Sequence, residues 1–127
     1  MIPEHFYTLF KSEEISLSKI YTFTVILNAS HPLYEGHFPQ QPIVPGVLMI
    51  VLVKDLLENQ LQKKLQLAKA RNIKYLNILV PTKDQQVTID VQIDLSNPES
   101  ILAMGSIKHL ETVYCKYKLE FIEPVMN

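Results

Sequence analysis

The stretch GHFPQQPIVPGVLMIVLVKD, residues 36–55, decides how this chain folds. Residues 36–46 hold Gly36, Pro39, Pro42, Pro45 and Gly46, and an uninterrupted apolar run, Val47 to Val53, follows at once. Proline fixes its own φ and pushes the residue before it out of the helical region. With Asn28 and Pro32 further upstream, residues 28–45 therefore read as an irregular but ordered loop. From Gly46 to about Gln66 there is no further proline or glycine. The first two turns are apolar on every side, and Leu56, Leu57, Leu61 and Leu65 then alternate with Lys54, Glu58, Gln62 and Lys63. This pattern predicts a helix whose N-terminal half is buried all round. Proline just ahead of it is well placed, since the N–H it lacks would be unpaired anyway.

Outward from the helix the period changes to two. IYTFTVIL, residues 20–27, puts Tyr21, Phe23, Val25 and Leu27 on one side and reads as a strand. VTIDVQIDL, residues 87–95, alternates Val87, Ile89, Val91, Ile93 and Leu95 with polar residues. After a turn at Asn97 and Pro98 come ILAMGSIKH and then VYCKYKLEF, in which Val113, Cys115, Tyr117, Leu119 and Phe121 share a face. Together with residues 72–79 these segments predict a meander of four strands. A helix apolar on all sides needs a sheet that curls around it, so the expected class is α+β, a curved antiparallel sheet wrapped on one buried helix. Such a sheet keeps free edges, and pairing with a second copy would cover one of them.

The composition narrows the function. At 127 residues and 47% hydrophobic, the chain is expected to form one domain spanning residues 1–127. Twelve basic against thirteen acidic residues, with no long run of either sign, leave no footprint for nucleic acid or an anionic membrane. The N-terminus MIPEHFYTLFKSEE carries acidic residues where a signal peptide has basic ones, and no apolar run approaches membrane length, so a cytoplasmic protein is expected. The lone Cys115 excludes an internal disulfide and reads as a small buried hydrophobe. His31 and His37 are two metal ligands without a third at a recognisable spacing, so neither a metal nor a cofactor is expected. His31 reads as a turn residue, and His5 and His109 as surface positions.

GHFPQQPIVPGVL, residues 36–48, closely resembles the GHFPxxPxxPGVL signature of the hotdog-fold 3-hydroxyacyl-[acyl carrier protein] dehydratases of the FabZ and FabA type. YLNILVP, residues 75–81, is similar to the strand and proline-ended segment that follows the helix in that family. The resemblance implies a lyase acting on acyl-carrier or CoA thioesters in fatty-acid or related acyl-chain synthesis. Dehydration of such a thioester takes a weakly acidic proton beside the carbonyl and expels hydroxide, so a base, an acid and a carbonyl polariser must be fixed around one substrate. The family's base is the histidine of GHFP, here His37. Its polariser is a backbone N–H at the helix start, here Gly46, where unpaired N–H groups and the helix dipole favour developing negative charge. Phe38, Pro39, Pro42, Ile43 and Pro45 would hold these two in register and wall the site, with Val47 and Val51 on the acyl tunnel.

The departure is the acid. The family places Glu or Asp five residues after the glycine of PGV, facing the histidine of the other protomer, and here that residue is Val51. Asp55, one helical turn further, is the nearest substitute, although a structural carboxylate satisfied at the interface competes with that role. Glu35, two residues before His37, reads as a solvated loop residue. The readings left open are a dehydratase with His37 alone or with Asp55, a half-site subunit in a mixed dimer with an orthodox dehydratase, and a non-catalytic acyl-binding module. A thioesterase ranks below them, because hotdog thioesterases usually lack this loop.

Overall fold

The computed structural model describes residues 2–15, 19–36 and 40–124. Six strands, β1 (Tyr7–Ile15), β2 (Ile20–Leu27), β3 (Gln66–Tyr75), β4 (Gln86–Asp94), β5 (Ile101–His109) and β6 (Thr112–Ile122), accompany one helix, α1 (Gly46–Leu61), and a short 3-10 turn at Pro32–Glu35. The strands form a single antiparallel sheet in the order β1-β2-β4-β5-β6-β3.

The alternating segments behave as their period demands. Tyr21, Phe23, Val25 and Leu27 of β2, Val87, Ile89, Val91 and Ile93 of β4, and Cys115, Tyr117, Leu119 and Phe121 of β6 are all buried on the face that meets α1. Met49, Ile50, Leu52, Val53, Leu56 and Leu57 of the helix complete the same core. Cys115 is buried, and burial pushes its thiol pKa up, which suits an inert core residue. No helix among the described residues is long and apolar enough to cross a membrane.

Three expectations are corrected. First, the four predicted strands are not one meander: β4, β5 and β6 follow one another, but β3 lies beyond β6 at the far edge instead of beside β4. It also runs Gln66–Tyr75 and not 72–79, with every residue but Ile73 exposed. An edge strand without a buried face has no two-residue hydrophobic repeat to betray it. Second, α1 ends at Leu61, about one turn early. Gln62 adopts the left-handed conformation, the Lys63 N–H returns to the Glu58 carbonyl, and the Glu58 carboxylate accepts from the Leu65 N–H at 2.8 Å. Third, α1 is not buried all round: Val47 is 67% exposed and Val51 half-buried, because the sheet of one chain covers only the opposite face. Strand β1 went unpredicted. Its apolar residues do not alternate cleanly, since a bulge between Leu9 and Lys11 breaks the register against β2.

Candidate active site at the helix N-terminus

The start of α1 is built by two loops that hold each other. After β3 the chain is pinned to β6, where the Leu76 N–H donates to the Tyr114 carbonyl at 2.9 Å and the Asn77 side-chain amide to the Val113 carbonyl at 2.7 Å. The Leu79 carbonyl of this segment accepts from the Val44 N–H at 2.9 Å, and both side chains are buried. Val44 therefore anchors the Pro42–Pro45 stretch from inside, while Pro42, Ile43 and Pro45 stay half-buried as its outer wall. Pro45 is the N-cap, with no side-chain bond to the helix end. The N–H groups of Gly46 and Val47 consequently have no partner among the described residues, leaving partial positive charge at this point.

Gly46 lacks a side chain for a visible reason. A β-carbon there would lie 2.7 Å from Cζ and 2.9 Å from the hydroxyl of Tyr75, whose ring covers the glycine. The last residue of β3 and the first of α1 thus meet face to face. The contact of Tyr75 with Gly46 was not foreseen; a tyrosine at the end of a polar edge strand gives no periodic signal.

His37, Phe38 and Pro39 lie outside the described residues. Ahead of them, the His31 ring caps the 3-10 turn: Nδ1 accepts from the Leu33 N–H at 3.0 Å and Nε2 donates to the Glu4 carbonyl at 2.7 Å. That places His31 as the turn residue expected of it. Glu35 is exposed, and so is His5. His109 is only half-exposed, its Nδ1 donating to the Gln86 carbonyl at 2.7 Å.

Val51 and Asp55 come together on one helix face, in a shallow cleft of about 350 Å³ that also meets Lys54, Glu58 and Lys64. Lys54 pairs with Glu58 at 3.3 Å. Asp55 accepts a 2.6 Å hydrogen bond from the Tyr7 hydroxyl of β1. Burial, together with the neighbouring Asp55, pushes the Tyr7 pKa up, so the phenol keeps its proton and remains the donor. Asp55 is thus engaged by β1 rather than free in the cleft. No cluster of three metal-ligating side chains occurs among the described residues.

One helix in an antiparallel sheet, entered through a proline-rich loop that leaves backbone N–H groups open, defines a hotdog fold. The family model described as ApeI-like, ApeI dehydratase, matches residues 13–112, and the chain belongs to this family of FabZ-like dehydratases. Among curated proteins it is 30% identical over 103 residues to the 3-hydroxyacyl-[acyl-carrier-protein] dehydratase FabZ of Rickettsia massiliae (strain Mtu5), spanning 72% of this chain and 71% of that one. The FabZ of Rickettsia bellii (strain OSU 85-389) is 29% identical over 104 residues, 72% of each chain. Among solved structures, the dehydratase heterocomplex ApeI:P from Xenorhabdus doucetiae superposes with a TM-score of 0.72 at 16% identity, covering 91% of this chain and 97% of that one. A hypothetical thioesterase from Streptococcus pneumoniae TIGR4, solved with coenzyme A, has a TM-score of 0.63 at 13% identity, covering 95% and 88%. At such identities the structures establish the shared fold.

Proposed function

We propose that this chain is a dehydratase subunit for 3-hydroxyacyl thioesters, carried on an acyl carrier protein or CoA, that contributes a base and a carbonyl polariser but no acid. His37 takes the proton at C2, and the Gly46 N–H receives the charge that develops on the thioester oxygen. The acid that expels hydroxide comes from the facing helix of a related, acid-bearing hotdog subunit. What carries this reading is Val51: the motif resemblance puts it at the family's acid position, and it is only half-buried, on a helix face that its own sheet leaves half-open. Valine neither donates nor accepts a proton, and an absent acid typically costs about 10²- to 10⁴-fold in rate. The engagement of Asp55 by Tyr7 argues against Asp55 as the replacement. Similarity to the ApeI:P heterocomplex supports pairing between different dehydratase subunits as the route to a complete site.

The test is turnover of a 3-hydroxybutyryl or crotonyl thioester. The chain alone should be nearly inert, a mixture with an acid-bearing subunit should be active, and His37→Ala in this chain should remove the activity of the mixture. Full activity of the isolated chain, lost in Asp55→Asn, would overturn the half-site reading. Tight binding of an acyl carrier that survives His37→Ala, without turnover in any mixture, would make it a binding module.

A further inference from the structure

We infer that Tyr75 is a catalytic residue, its hydroxyl forming a second hydrogen bond to the thioester oxygen beside the one from the Gly46 N–H; this rests on the dehydratase reading above. The Cα–Cβ bonds of a helix tilt toward its N-terminus, so a group lying where the Gly46 β-carbon would be sits at the end of the helix that presents the open N–H groups. The Tyr75 hydroxyl is 2.9 Å from that point. On this inference an oxygen accepting from the Gly46 N–H lies beside that phenol, whose hydroxyl has no hydrogen-bond partner among the described residues. The backbone that carries Tyr75 is fixed on both sides. Tyr75 pairs with Cys115 across β3 and β6, and the segment that follows it is bonded to Tyr114 and, through Leu79, to Val44 just ahead of the helix.

Chemically the step is balanced without a proton leaving Tyr75. The C2–H bond breaks, its proton goes to the His37 imidazole, and the electron pair moves onto the thioester oxygen as an enolate. Two donors then hold that oxygen, the Gly46 N–H and the Tyr75 O–H. Burial first, and the neighbouring Cys115 second, raise the Tyr75 pKa, which keeps it a donor across the working pH range. A donor aimed at an oxyanion is typically worth about 10²-fold in rate.

The experiment separates this residue's role from the acid question. S-butyryl-N-acetylcysteamine has no leaving group at C3, so exchange of its C2 protons in D₂O needs the base and the polarisers only. NMR should show deuterium entering C2 with the wild-type protein and not with His37→Ala. Tyr75→Phe, which keeps the ring over Gly46, should slow exchange by about 10²-fold with little change in KM. The carbonyl stretch of the ¹³C-labelled thioester should lie at lower frequency when bound to wild type than to Tyr75→Phe. Wild-type exchange rates in Tyr75→Phe, or slower exchange with an unmoved carbonyl band, would overturn the assignment while leaving the dehydratase reading intact. Absence of exchange in the wild type itself, alone or mixed with an acid-bearing subunit, would overturn the dehydratase reading and this assignment with it.

Discussion

The Tyr7 hydroxyl donates to the Asp55 carboxylate at 2.6 Å, tying the first residue of the edge strand β1 to the middle of α1 across 48 positions of sequence. The bond is partly buried and has a charged acceptor, which puts it among the stronger hydrogen bonds. Tyr7→Phe should therefore lower stability by about 1–3 kcal/mol, read from urea unfolding. Asp55→Asn keeps an acceptor for the phenol and should cost less. Neither change should lower the turnover of an active mixed dimer by more than a few-fold; a large loss confined to Asp55→Asn would return Asp55 to the list of acids.

Alkaline pH should unfold this protein through its tyrosines. Burial raises the pKa of Tyr34 to about 12, and its buried hydroxyl has no partner among the described residues. The pKa values of Tyr7 and Tyr117 are also raised, by burial first and then by Asp55 and Asp90 respectively. A pKa above the unfolded value, ordinarily near 10, means that the fold favours the protonated phenol. That stability is complete below about pH 10 and is lost progressively as pH climbs toward the folded value, about 12 for Tyr34. Urea midpoints should be flat from neutral pH to about 9.5 and fall steeply above it, with phenolate absorbance rising together with unfolding. Phenolate absorbance saturating while the fold persists would contradict this.

Two glycines should respond unequally to alanine. At Gly105 in β5 a β-carbon would sit 1.7 Å from the Asp90 carbonyl oxygen, which also accepts a 2.6 Å bond from the buried Tyr117 hydroxyl. Backbone inside a sheet cannot step aside, so Gly105→Ala should cost about 3 kcal/mol or more. At Gly46 the obstruction is the outer end of the half-exposed Tyr75 ring, which can swing away. Gly46→Ala should thus leave the melting temperature nearly unchanged and still lower activity, because it displaces Tyr75 and narrows the approach to the N–H.

What the sequence disclosed follows from burial. β2, β4 and β6 bury alternate side chains, and their two-residue period marks them from either end. The helix start was legible because Pro45 and Gly46 bracket it. β1 escaped, and β3 was expected with the wrong bounds, because both are edges: their residues are mostly exposed, so no periodic constraint acts on them. The site divides in the same way. Gly46 and Val51 could be located from the spacing of a motif that includes His37. Tyr75 and Tyr7 meet Gly46 and Asp55 through contacts made across the fold, which no local spacing encodes.

The open face of α1 gives the last test, of how two chains complete each other. Val47 is exposed and Val51 half-buried in the single chain, and Tyr75 at the end of β3 and Leu76 and Ile78 beyond it are exposed. Pairing along this side would cover those apolar groups and bring a second helix to the base. On the proposed roles, a chain carrying His37→Ala with Val51→Glu would have an acid and no base, and the wild type a base and no acid. Refolded together, the two should form mixed dimers with one complete site and turn over a crotonyl thioester, although each is inert alone. Val51→Glu within an otherwise wild-type chain should also work as a homodimer, since each site would then gain the acid it lacks. Adding Val47→Glu should weaken both preparations by impeding pairing while leaving the fold intact, because that side chain contributes little to its own core. Light scattering would show the shift to monomer, and activity should fall in proportion; undiminished activity from a monomer would refute the shared site.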